Sequence, residues 1–169
     1  MARSRLRTSS QSLATAPSPT PYSVEAIKSH LVPYVWDFAA KYIQKAIAES
    51  NGEMWLEDVY ARLLKEQMFL FLVKHDNLTK GAAVCEVIKY PRKLTIRVVY
   101  LGGETGGLFL EWRWRLHSLL KSWAIQIGAD SIETFTRPGM AKMLKAGGYR
   151  QVYVGMELTG KKANGNGRQ

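Results

Sequence analysis

Three strand-forming stretches follow one another between Met68 and Leu101 with only turn residues between them, and that succession restricts the fold more than any other feature of the chain. Met68–Lys74 is dense in Phe, Leu and Val, the composition of a buried strand. Asp76 and Asn77 supply turn chemistry, and Gly81–Tyr90 and Leu94–Leu101 read as two further strands joined across Pro91 and Arg92. Parallel neighbours need a long crossover, so strands this close in sequence pair antiparallel. The spacing predicts a meander.

The pattern changes at the run Gly102-Gly103-Glu104-Thr105-Gly106-Gly107. Phe109, Trp112, Leu116, Leu119, Leu120, Trp123 and Ile127 then fall on one face of a long helix that Gly128 can terminate. Ser131–Thr136 reads as a short strand, Pro138 opens a helix running from Gly139 to about Ala146, and Tyr149–Leu158 reads as a final strand. Upstream, Ser23 is placed as the N-cap of a helical stretch reaching Leu31, Pro33 starts a second helix over Tyr34–Ser50, and Trp55, Val59, Leu63 and Leu64 mark a third. The expected fold class is α/β with a mixed sheet, antiparallel in its first half and alternating strand and helix in its second. Four segments follow from this: a basic Ser/Pro-rich arm over 1–22, a helical extension over 23–54, the α/β domain over 55–158, and a basic tail over 159–169.

With 46% apolar residues, a chain of 169 can bury a core. Its net charge of +10 is concentrated outside that core, because Arg3, Arg5, Arg7, Lys161, Lys162 and Arg168 sit in arms that carry no acid. Cys85 is the only cysteine, which rules out an intramolecular disulfide and a cysteine metal cluster, and His30, His75 and His117 lack the spacing of zinc ligands. No metal is expected. No apolar run is long enough to span a bilayer, so the expectation is a soluble protein without membrane contact.

The strand and helix order, together with Arg137-Pro138-Gly139-Met140-Ala141-Lys142-Met143-Leu144-Lys145-Ala146-Gly147-Gly148-Tyr149, resembles the GNAT acyltransferase superfamily over roughly Trp55–Leu158. Gly148-Tyr149 looks like the glycine–aromatic step that precedes that family's last strand. The resemblance implies acetyl-CoA as cofactor, with Val99, Tyr100 and Leu101 bonding its pantetheine arm and Gly103, Gly106 and Gly107 receiving its phosphates. It also implies carboxylates that take a proton from an amine and a group that returns one to the departing thiolate; Glu86 and Glu133 suit the first task, Tyr149 or Tyr100 the second. Two departures stand out. The loop lacks the family's Gln or Arg, carries Leu108 in place of its second small residue, and adds the negative charge of Glu104. The position that holds a tyrosine near the end of the family's penultimate helix falls on Leu144, which cannot donate a proton.

These departures and the two arms favour a GNAT-fold protein without efficient catalysis, acting as a structural or virion-associated component of a phage assembly that holds protein partners through its arms. The resemblance extends to bacteriophage-encoded proteins of this fold through the Lys89-Tyr90-Pro91-Arg92 turn and the Arg137-Pro138-Gly139 helix start. The alternative is an acetyl-CoA-dependent N-acetyltransferase. A second alternative is a basic nucleic-acid-binding module whose tails make weak phosphate contacts. The expected location is the cytoplasm of a bacterial host or a virion.

Overall fold

The computed structural model describes residues 22–104 and 109–153, apart from the side chains of Phe109 and Leu110. The described residues fall into two compact units, one ending at Thr134 and the other beginning at Phe135.

The first unit is built on a five-stranded sheet in the order β1-β2-β3-β4-β5: Tyr22–Ile27, Phe69–His75, Leu78–Tyr90, Lys93–Gly103 and Ser131–Thr134. The meander over β2, β3 and β4 is antiparallel as expected. β4 and β5 run parallel, and the helix α3 (Phe109–Ile127) lies between them in sequence. That helix ends at Gly128, whose φ of 70° is the left-handed conformation glycine adopts without penalty.

The first strand corrects the sequence reading. Tyr22–Ile27 is not a helix capped by Ser23; it is an edge strand pairing antiparallel with β2, from Tyr22 opposite His75 to Ile27 opposite Leu70. The Tyr22 ring meets the His75 ring at a tilt, and Glu25 forms an ion pair with Lys74. Six residues hold too little intrinsic helix preference to resist a ladder of main-chain hydrogen bonds along β2. A single 3-10 turn, Ser29–Leu31, leads into α1 (Val32–Ile47), which carries Pro33 in its first turn. α2 (Leu56–Leu64) starts where the Trp55 backbone N–H donates to Asp58 Oδ2 at 2.8 Å, a carboxylate turning back on the helix entrance. Among the described residues the sheet and its core include Tyr22 and α1, upstream of Trp55.

Period-two alternation sorts the sheet's side chains onto two faces. On one face Leu70, Leu72, Ala82, Val84 and Tyr100 pack under α1 and α2, against Val32, Ala39, Ile43, Ile47, Val59 and Leu63. On the other Phe71, Val73, Ala83, Cys85, Ile96 and Val98 pack against Trp112, Leu116, Leu120 and Ala124 of α3. Cys85 is fully buried there, and desolvation pushes its thiol far above its ordinary pKa, so it is an inert core residue.

The second unit contains α4 (Pro138–Ala146), which begins with Pro138 as expected and is followed by Gly148 at φ 87°. The final strand expected over Tyr149–Leu158 is not formed as far as Tyr153, because no described strand of this unit offers it a ladder; residues 154–158 lie outside the described residues. None of the described helices is long and apolar enough to cross a membrane.

Candidate functional site

Two features of β4 define the candidate site. The first is a bulge. Val84 faces Tyr100 but Cys85 faces Val98, so Val99 has no opposite residue on β3. In a regular strand residues 98 and 100 would share a face; here Val98 packs on the α3 side while Val99 and Tyr100 both turn to the α1 side. The second is an unpartnered edge. Pairing with β5 stops at Val98–Thr134, whereas β4 continues to Gly103 with β3 on its other side. Main-chain groups of residues 99–103 that point away from β3 have no partner strand among the described residues, and such groups invite a strand-like ligand.

Immediately before this point the register sets Glu86, Arg97 and Glu133 in one row across β3, β4 and β5. All three lie on the face that carries α1 and α2, as their neighbours Val84 on that face and Cys85, Ile96 and Ile132 on the other require. Arg97 Nε and NH2 both donate to Glu133 Oε1, at 2.9 and 2.8 Å, while NH1 donates to Glu86 Oε1 at 3.2 Å. Tyr90 completes the group: its hydroxyl accepts from Arg97 NH2 at 3.0 Å and donates to Glu133 Oε1 at 3.3 Å. Burial pulls the Arg97 guanidinium downward, but the hydrogen bond and charge of Glu133, followed by Tyr90 and Glu86, outweigh it and raise its pKa above the ordinary value. The row therefore carries two carboxylates on one permanent cation.

The structure thus brings together the two acids proposed from sequence and adds two residues that the sequence reading missed, Arg97 and Tyr90. A signal for Arg97 was present, since a two-residue turn at Pro91-Arg92 sets Glu86 opposite it. Tyr149 belongs to the second unit, where its backbone N–H donates to the Leu144 carbonyl at 3.1 Å.

Of the expected cofactor residues, Val99 is the bulge, and Leu101 packs half-buried on the α3 side. The Tyr100 side chain is buried beneath α1, where desolvation, then the Glu53 charge, raises its hydroxyl pKa, so only its main chain can serve a ligand. Gly103 is crowded by the Trp112 ring. Gly106 and Gly107 lie outside the described residues. Glu104, the charge that stood against phosphate binding, is engaged on the α1 side: Lys80 Nζ lies 3.2 Å away and the Tyr42 hydroxyl donates to its Oε1 at 3.4 Å. Among the described residues no group of three His, Cys, Asp or Glu side chains is arranged to hold a metal ion.

No protein-family model matches the sequence, and no curated protein does either. Solved structures do match the fold. A GCN5-related N-acetyltransferase from Ralstonia eutropha superposes with a TM-score of 0.65 at 8% identity, covering 82% of this chain and 98% of its own. The aminoglycoside N-acetyltransferase AAC(6')-Iy in complex with CoA gives 0.62 at 11% identity, over 87% and 99%. A predicted acetyltransferase with acetyl-CoA from Clostridium acetobutylicum gives 0.59 at 11% identity, over 82% and 96%. The chain has the mixed α/β architecture of GNAT-like acetyltransferases. The matched share exceeds what Trp55–Leu158 contains, in keeping with β1 and α1 being part of the sheet and its core rather than an extension.

Proposed function

We propose that this chain is an acyl-CoA-dependent N-acyltransferase, in preference to a virion component. The observation that carries the reading is the coincidence of three things at one point of β4: the bulge at Val99, the unpartnered edge beyond it, and the Glu86–Arg97–Glu133 row just before it. An acyl thioester supplies an activated carbonyl carbon for an amine to attack. The main chain over residues 99–103 would hold the two amides of the pantetheine arm as a neighbouring strand would. Lys80 Nζ, 3.2 Å from Glu104, offsets part of the negative charge that counted against phosphate binding. Two of the structures sharing the fold were solved with CoA or acetyl-CoA, which supports the same ligand here.

In this reading the row provides the acid–base chemistry. Glu133 receives the proton that the amine sheds as the new bond forms. Arg97 fixes that carboxylate through two hydrogen bonds, and Glu86 fixes Arg97 from the other side. The row's net single negative charge favours the approach of a cationic amine, which gives up one proton to solvent before its neutral form attacks. Titration calorimetry of the full chain with acetyl-CoA tests the reading. The expected result is saturable binding in the micromolar to sub-millimolar range typical of enzyme substrates. No heat at millimolar acetyl-CoA would return the assembly role to first place.

A further inference from the structure

α1 buries Val32, Ala39, Ile43 and Ile47 against the sheet, and on the flank turned to α2 its Trp36 ring meets Tyr60 at 4.8 Å between centroids. The opposite side of the helix carries apolar groups in water. Tyr34 is 79% exposed and Phe38 59%, with Leu31, just ahead of the helix, at 41%. Single exposed apolar side chains are ordinary on a protein surface. Three at helical spacing on one stripe, two of them aromatic, have the composition of a contact surface.

The charges set among them select the occupant. Asp37 and Lys41 stand one turn apart on the same stripe, the spacing at which a helix commonly joins an acid to a base. Among the described residues neither forms an ion pair, and Lys41 Nζ lies over the Tyr42 ring at 4.8 Å. A polyanionic surface would take the lysine and repel Asp37. An apolar stripe with an acid toward one end and a base toward the other is instead the complement of itself when run antiparallel. We infer that the outward face of α1 docks on the same face of a second copy of this chain, the two helices antiparallel about a two-fold axis next to Phe38.

In that arrangement Phe38 packs beside its counterpart at the axis. Tyr34 lies level with Lys41 of the other copy, a ring face against an ammonium, and Asp37 stands within one turn of that same ammonium. Symmetry makes each contact twice. One helix face on another is at the small end of specific interfaces, so the dimer is expected to be weak and concentration-dependent.

Sedimentation equilibrium of the full chain over a concentration series tests this. The expected result is a monomer–dimer equilibrium that Phe38→Asp weakens by about tenfold or more. Asp37→Lys and Lys41→Asp should each weaken it by roughly tenfold, and the double variant Asp37→Lys/Lys41→Asp should return to within about threefold of the wild type. All three positions are exposed, so the fold should tolerate the changes, and far-UV circular dichroism checks that it does. Recovery in the charge swap is a result that damage to the fold would not give. A chain that is monomeric at every concentration, a dimer indifferent to Phe38→Asp, or a charge swap without recovery would overturn the inference. A monomer that sediments with vesicles of anionic phospholipid only while Phe38 is intact would overturn it too, and would assign the stripe to a lipid surface.

Discussion

Gly102→Ala lowers the stability of the fold by about 3 kcal/mol, at the upper end of what overpacking a core costs. A Cβ at this position would stand 2.1 Å from the Tyr42 carbonyl oxygen and 2.8 Å from its carbonyl carbon. Both belong to the α1 backbone, which has no rotamer to turn aside. The helix must lift from β4, and Ala39, Ile43 and Ile47, all buried, lose contact with the sheet as it does so. Gly103 is a milder case. Its added Cβ would meet the buried Trp112 ring at 2.8 Å and the Lys80 carbonyl oxygen at 3.2 Å, neither as close as the 2.1 Å approach to backbone at Gly102. Denaturant midpoints of Gly102→Ala, Gly103→Ala and the wild type should fall in that order of increasing stability. A Gly102→Ala chain as stable as the wild type would mean that α1 does not sit this close to β4.

Arg97→Met costs about 2–3 kcal/mol, because it leaves two carboxylates in one row of a sheet face with no cation between them. The side chains of Glu86 and Glu133 are only 17% and 12% exposed, so water does little to replace the lost guanidinium. Stability should recover in part when Glu86→Gln and Glu133→Gln are added to Arg97→Met, since the neutral amides remove the repulsion. The raised pKa of Arg97 fixes the pH window. A cation whose folded pKa lies above its unfolded one contributes fully below the unfolded value and loses that contribution only as pH rises through the folded one, so the effect is complete at neutral pH. Denaturant unfolding of the single and triple variants at neutral pH measures both the loss and the recovery.

Much of the architecture was legible from local pattern. The meander followed from short turns, and α3 from the helical spacing of Trp112, Leu116, Leu120 and Trp123, with Gly128 as its stop. Tyr22–Ile27 was misread because its structure is decided by β2, more than forty residues away in sequence, and not by its own propensity. The site was half legible. Alternation put Glu86 and Glu133 on strands, and the Pro91-Arg92 turn carried the pairing of Glu86 with Arg97. The meeting of Glu133 with that pair needed the parallel β4–β5 register, which no local signal encodes. The bulge at Val99 was hidden for the same reason: it shows only when both strands are laid side by side.

The proposed chemistry depends on a ligand pairing with the free edge of β4. Amide hydrogen exchange across the full chain, with and without saturating acetyl-CoA, addresses that directly. New protection is expected at backbone amides within residues 99–103, with β1 and β2 unchanged. Acetyl-CoA that binds while leaving the 99–103 amides exchanging as before, or that protects residues of β1 instead, would contradict it.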